Sequence, residues 1–248
     1  MFDLTGRVAL VTGAGQSVGA GIAETLAECG AAVAVNDLFP DRAEAEAKQI
    51  TAAGGTAIGV AFDVRDLEAV RAGVAVVERE LGPVDILVNN AGIVQEGPRG
   101  LVQFRDLDPA EWHRSIDLNV YGVLNCVKAT IDGMCERGFG RVVTISSNAG
   151  TQGLRIGVST YAAGKGGAIS FMRHLALETA KFGVTANTLA LGLMENAASA
   201  GTSGLPPAAP VGRAGAGRDV GAAVVWLAAE GEWVTGQTIG INGGSSTT

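Results

Sequence analysis

Short apolar runs alternate with longer segments of helical period from the first residues to the last. Arg7–Thr12 reads as a buried strand, and Gly19–Cys29, with apolar positions recurring every three or four residues, as a helix. The alternation continues with a strand at Ala32–Asp37, a helix at Asp41–Ala53, a strand at Thr56–Phe62, a helix at Asp66–Leu81 and a strand at Asp85–Val88. Asp108 and Pro109 supply an N-cap and a first helical residue, and the helix they open is predicted to run to about Cys135. Arg141–Ser146 follows as a strand, Thr160–Phe182 as a long helix, Val184–Ala190 as a strand, Arg218–Ala229 as a helix and Gln237–Ile241 as the last strand. Strands continuous in Val, Ile, Leu and Ala are buried on both faces, which a parallel sheet between two helix layers provides. Right-handed crossovers then predict an α/β fold: a single Rossmann-like doubly wound parallel sheet of about seven strands, with helices on both faces. No linker or internal repeat breaks the series, so residues 1–248 are expected to form one domain. Glu195–Val211 has no period and is rich in Ala, Ser, Gly and Pro, which marks a long irregular loop at about 194–212, either functional or mobile.

Charge and composition narrow the partners. The net charge of −7 argues against nucleic acid and anionic membrane surfaces. Cys29, Cys126 and Cys135 are scattered outside any CxxC pattern, which fits a reducing compartment and no metal site. His113 and His174 have no ligand partner nearby and read as surface or packing residues. The N-terminus lacks a basic segment followed by an apolar core, and no apolar run approaches the ~20 residues that span a bilayer. The expected location is cytoplasmic.

Two stretches carry chemistry. Thr12-Gly13-Ala14-Gly15-Gln16-Ser17-Val18-Gly19 lies between a predicted strand and a predicted helix. A glycine turn there lets backbone approach a pyrophosphate, and the helix N-terminus adds free N–H groups and a positive dipole end. Asp37 ends the next strand, ~20 residues on, where a carboxylate accepts from adenosine ribose hydroxyls and repels a 2′-phosphate. No Arg or Lys lies between Ala31 and Asp41 to hold such a phosphate, so NAD(H) is favoured over NADP(H). In the long helix, Tyr161 and Lys165 stand four apart and so share a face. A lysine beside a tyrosine favours the phenolate, which predicts a lowered Tyr161 pKa and a usable general acid/base.

These residues, with others in order along nearly the whole chain, resemble the short-chain dehydrogenase/reductase family, in a 3-oxoacyl-reductase-like form. The further matching pieces are Phe62-Asp63-Val64, Asn89-Asn90-Ala91-Gly92, Asn119, Ser146-Ser147, Val234-Thr235-Gly236-Gln237 and Gly243-Gly244. The resemblance implies hydride transfer between a secondary alcohol or ketone and a nicotinamide. It implies that Ser147 bonds the substrate oxygen, Tyr161 passes the proton, and Lys165 binds the nicotinamide ribose and depresses the Tyr161 pKa. Asn119 would hold a water linking Lys165 to solvent. Gly13, Gln16, Ser17, Val18, Gly19, Asp37 and Leu38 would line the cofactor. Asp63 and Val64 would bracket its adenine, with Asn90, Gly92 and the Met194 backbone along the nicotinamide side. A homotetramer of paired long helices is implied, while the residues alone leave a homodimer open.

The chain departs from the family pattern at several positions. Ser17 stands at a usual glycine, and its Cβ narrows the turn. Gly164 replaces a usual serine, and the small run Gly164, Gly166, Gly167 and Ala168 is expected to form a close helix contact across a subunit interface. Leu191 replaces a usual proline, which predicts a freer segment after that strand, and Asn196 stands at a usual threonine. Asn242 replaces an aspartate common before the final glycine pair and is assigned no consequence.

The substrate walls are expected at Ile93–Val102, after Ser147 and at Glu195–Val211, with Gln95, Asn148, Gln152 and Arg155 as polar candidates. With no Lys or Arg in the last loop before Arg213, a small or medium neutral alcohol or ketone is favoured. Two competing readings stand: an NADPH-dependent 3-oxoacyl-(ACP/CoA) reductase, and a catalytically idle dinucleotide-sensing regulator on the same fold.

Overall fold

Parallel strands β1 (Val8–Val11), β2 (Ala32–Asp37), β3 (Thr56–Ala61), β4 (Ile86–Asn89), β5 (Gly140–Ser147), β6 (Val184–Leu191) and β7 (Thr238–Ile241) form one sheet in the order β3-β2-β1-β4-β5-β6-β7. The computed structural model describes residues 2–92, 101–195 and 209–247. Strand order reverses between β1 and β4, and the crevice over such a switch point is where open α/β sheets bind ligands.

Alternate strand residues feed opposite helix layers. Val11, Val33, Val35 and Val88 pack with Ile22 and Leu26 of α1 (Ser17–Glu28) and with Val224 of α7 (Gly217–Ala229). Leu10, Leu87 and Val184 pack on the other face with Val70 and Val74 of α3 (Leu67–Glu80), Met134 of α5 (Gly122–Arg137) and Met172 of α6 (Ser159–Thr179). Helix α2 (Pro40–Ala52) covers the β2–β3 edge and carries the exposed Glu44–Lys48 pair at 3.0 Å. The expected doubly wound sheet is therefore the observed one.

One expected helix is broken. Asp108 does cap, accepting from Ala110 N at 2.9 Å, but the chain then runs through a 3₁₀ turn (Pro109–Glu111), a short α4 (Trp112–Ile116) and a π turn (Asp117–Tyr121) before α5 begins. A π turn holds one more residue than an α turn and often marks a functional site. Here it carries Asn119.

Among the described residues no helix is long and apolar enough to cross a membrane, and no group of three or more His, Cys, Asp or Glu is placed to hold a metal. His113 and His174 are both exposed.

Candidate active site

The cradle forms where the turns after β1, β2 and β4 meet. Gly13 has φ +60°, a left-handed conformation that glycine adopts without a Cβ clash. A Cβ on Gly19 would lie 2.4 Å from Gly13 O and 2.5 Å from Asn90 Nδ2, so only glycine lets α1 start this close to the turn. The Asn90 amide donates to Thr12 O and Gly13 O at 2.9 and 3.0 Å, and Thr12 Oγ1 accepts from Asn90 N and Ala91 N at 3.0 Å each. Gln16 is the extended residue before α1, with no side-chain cap bond to the helix N–H groups. Ser17, Val18 and Met194 line a cavity of about 120 Å³ with Glu195, Gly215 and Gly217.

Ser17 has φ +63°, the one non-glycine in the left-handed region among the described residues. Such a residue stores about 1 kcal/mol or more of strain. Ser17→Gly should relieve it, less the cost of glycine's freedom when unfolded. The expected result is a rise in melting temperature of about 2 °C. A fall by calorimetry would show that the serine hydroxyl holds the turn more firmly than its backbone strains it.

Asp37 is buried at the end of β2. Its Oδ2 accepts from Gly15 N at 3.2 Å and its Oδ1 from Phe39 N at 3.0 Å, which leaves lone pairs on both oxygens. Leu38 beside it is exposed. Arg42, one residue beyond the stretch Ala31–Asp41 that lacks Arg and Lys, packs against the turn: a Gly15 Cβ would lie 2.6 Å from Arg42 Cβ. The first turn of α2 folds back toward the cradle, and its helical period is the signal that could have found this residue.

Val64 is a core residue, whereas the Asp63 carboxylate is held by Arg65 at 2.6 Å. That bond keeps the Asp63 carboxyl below its ordinary range. A larger cavity of about 420 Å³ opens beside this pair, between Asp66, Asp117, Tyr121 and Asn125. None of Ser147, Tyr161 and Lys165 lines it, so these candidate groups lie elsewhere.

Those groups meet at the end of β5. Ser147 Oγ accepts from Ala149 N at 3.2 Å, and its hydroxyl lies near enough to the Tyr161 phenol to favour the phenolate. Tyr161 and Lys165 project from successive turns of α6, with Lys165 Nζ 5.8 Å from the Tyr161 ring centre. Lys165 Nζ donates to Ile145 O at 2.8 Å, and an ammonium has two further donors. Burial pushes the Lys165 ammonium down to about 8. Burial also pushes the Tyr161 phenol up, against a smaller downward pull from the Ser147 hydroxyl. The lowered tyrosine expected from its lysine neighbour is therefore corrected for the chain by itself. Desolvation of the phenolate outweighs the neighbour, whose bond goes to a carbonyl instead.

Asn119 donates to Ser115 O at 2.9 Å, while its buried Oδ1 has no protein partner. A Cβ on Gly92 would lie 2.8 Å from Lys165 Nζ and 3.0 Å from Asn119 Oδ1, so both polar atoms flank one glycine. The unmatched acceptor suits a bridging water.

The small run in α6 has close neighbours within the same chain: a Gly164 Cβ would lie 2.9 Å from Ser115 O, a Gly166 Cβ 3.4 Å from Gly150 O and a Gly167 Cβ 3.3 Å from Val120 Cγ2. One further expectation is corrected. Leu191 itself is held in the sheet. It is buried and paired to both Ser147 and Ile241, and Gly192 N donates to Ile241 O at 3.1 Å. An N–H and an apolar side chain let leucine extend the strand where proline could not. Met194 is then bridged to Gly215. Asn196, Gln95 and most of the expected substrate loop lie outside the described residues.

The residues present fit a dinucleotide. The glycine cradle has no room for side chains, the carboxylate of Asp37 retains acceptor capacity, and spare donors on Lys165 stand across from an unmatched Asn119 acceptor.

Comparison with known proteins agrees. A family model described as short chain dehydrogenase matches residues 7–203. The chain is 37% identical over 248 residues to the 3-oxoacyl-(acyl-carrier-protein) reductase FabG of Vibrio harveyi, covering 98% of each. It is 37% identical over 245 residues to the acetoacetyl-CoA reductase of Shinella zoogloeoides, covering 96% of this chain and 98% of that protein. A 3-oxoacyl-(acyl-carrier protein) reductase with bound NAD from Brucella melitensis has the same fold, with a TM-score of 0.90 at 30% identity over 99% of this chain and 93% of that one. Motif order, strand order and relatives converge, and the chain belongs to the short-chain dehydrogenase family of oxidoreductases.

Proposed function

We propose that the chain is an NAD(H)-dependent oxidoreductase that interconverts a secondary alcohol and the matching ketone, with Tyr161 as general acid/base. The observation that carries this reading is the meeting of Ser147, which ends β5, with Tyr161 and Lys165 of α6, where Lys165 Nζ flanks Gly92 beside the glycine cradle. The cradle residues Gly13, Gln16, Ser17, Val18 and Gly19 would hold the pyrophosphate. Asp37 and Leu38 would take the adenosine ribose side, Asp63 and Val64 the adenine, and Asn90, Gly92 and Met194 the nicotinamide side. When bound, the dinucleotide supplies a hydride acceptor or donor.

The protein's part is proton and charge management. In the oxidation direction the Tyr161 oxygen takes the substrate hydroxyl proton, and in reduction it returns one. Ser147 donates to the substrate oxygen and stabilises charge that builds there. Lys165 binds ribose hydroxyls through its spare donors. Asn119 Oδ1 holds the water that passes the proton outward.

Asp37 carries the cofactor choice. Asp37→Ser should weaken NADH binding by about tenfold or more, the worth of hydrogen bonds to a charged group, and strengthen NADPH binding. Paired titrations of both nucleotides check this, and an unchanged NADH/NADPH ratio would overturn the assignment. Arg42 beside the same turn favours the second reading, an NADPH-dependent 3-oxoacyl-(ACP/CoA) reductase, whose substrate class, though not its cofactor, appears in the relatives' names. A panel of neutral alcohols and ketones run beside 3-oxoacyl thioesters separates the two. The assembly proposed is a homotetramer or homodimer, and the compartment proposed is the cytoplasm.

A further inference from the structure

The tail after β7 runs back across the face that carries Ser147. Asn242 Nδ2 donates to Asn148 Oδ1 at 3.4 Å and to Ser246 O at 3.3 Å, and Asn242 Oδ1 accepts from Gly244 N at 3.0 Å. Ser246 Oγ donates to Gln152 Oε1 at 3.1 Å. On its other side the tail holds the chain at Ala209–Val211: Val211 N donates to Gly243 O at 3.1 Å, and a Gly243 Cβ would lie 2.8 Å from Ala209 Cβ. Gly192 is pressed on the same residue, since its Cβ would lie 2.8 Å from Asn242 Cα. Asn242 thus touches the Ser147 loop, the end of β6 and, through the tail, the segment that begins at Ala209.

The Ser147 loop depends on such a brace. Ser147 is followed by one 3₁₀ turn, Asn148–Gly150, and Asn148 is buried. The position of the Ser147 hydroxyl is tied to this turn by the Ala149 N bond. A tether on Asn148 and another on Gln152 hold both ends of the turn.

We propose that Asn242 and Ser246 are positioning residues, a C-terminal strap that sets where the Ser147 loop stands relative to the substrate while leaving the glycine cradle untouched. This rests on the oxidoreductase reading above. An aspartate at 242 retains two of the three bonds, because the Asn148 amide, turned about its Cβ–Cγ axis, offers N–H to the carboxylate and Gly244 N still has its acceptor, while the bond to Ser246 O is lost for want of a donor. An alanine loses all three.

The test compares Asn242→Ala, Ser246→Ala and Asn242→Asp in the full-length protein by three measurements: backbone amide hydrogen exchange over Ala149–Gln152, NADH affinity, and KM and kcat on the alcohol and ketone panel. The expected result is faster exchange at Ala149–Gln152 and a KM raised about fivefold, the worth of one hydrogen bond, for both alanine variants. NADH affinity stays at the wild-type value, and Asn242→Asp, which keeps the tethers to Asn148 and Gly244 but loses the one to Ser246 O, shows smaller changes than Asn242→Ala. Unchanged exchange in Asn242→Ala overturns the strap whether or not turnover is found. Equal loss of NADH affinity and substrate affinity overturns it as well, since that marks general loosening. Faster exchange with wild-type KM overturns the positioning role alone, whereas a wild-type protein inactive on every substrate sinks the oxidoreductase reading together with the catalytic part of the strap.

Discussion

Tyr161→Phe should lower turnover by about a thousand-fold, within the range that a positioned acid or base contributes, and leave NADH binding intact. Only the oxygen is removed. The ring stays in its buried place beside Ala149 and Val158, so the fold has no cavity to accommodate. Ser147 and Lys165 remain, but neither replaces the proton carrier: the Lys165 ammonium is directed at Ile145 O, and Ser147 Oγ accepts from Ala149 N. The pH dependence follows from the titration of the phenol. Alcohol oxidation needs the phenolate, so its rate rises with pH toward the Tyr161 pKa, which burial holds above the ordinary 10 in the chain by itself. Ketone reduction needs the phenol and falls as pH passes the same value. Both limbs should vanish in Tyr161→Phe. Equal turnover by wild type and variant would remove Tyr161 from the mechanism, and no turnover by either on a broad panel, with NADH still bound, would favour the idle sensor.

The second large effect is expected at Gly19. A Cβ there meets Gly13 O at 2.4 Å, Asn90 Nδ2 at 2.5 Å and Ala14 Cα at 2.8 Å, two of them backbone atoms. Gly19→Ala must push α1 away from the turn or expel the Asn90 amide that fastens β4 to β1. Overpacking of this kind costs about 1–3 kcal/mol. NADH affinity should fall at least about tenfold, because the helix N-terminus no longer stands at the turn. Gly153→Ala is the control, since its Cβ meets nothing within 4 Å. A Gly19→Ala protein with wild-type melting temperature and NADH affinity would show that the cradle has room to spare.

The sheet was legible because burial on both faces demands uninterrupted apolar strands, and Val8–Val11, Val33–Val35 and Ile86–Val88 have no other environment to suit them. The candidate catalytic residues were legible as motifs: Tyr161 and Lys165 by a spacing that shares a helix face, and Ser147 by its place in the family's motif order. What stayed hidden depends on contacts between residues far apart in the chain. The π turn at Asn119 has no period of its own to read. Leu191 looked like a loosened loop because its two strand partners, Ser147 and Ile241, come from elsewhere. The glycine run at 164–167 suggested a subunit contact, and its close neighbours within the chain, Ser115, Val120 and Gly150, are set by the bend of α4 into α5 and by the Ser147 loop. The balance of burial and charge at Tyr161 likewise depends on what covers the ring.

The measurement that bears most directly on the proposed function is a paired fluorescence titration of the purified protein with NADH and with NADPH. Clear preference for NADH, lost in Asp37→Ser, is the predicted result. Preference for NADPH would contradict the reading of Asp37 and shift weight to Arg42 and the 3-oxoacyl reductase, and binding of neither would contradict the dinucleotide site itself.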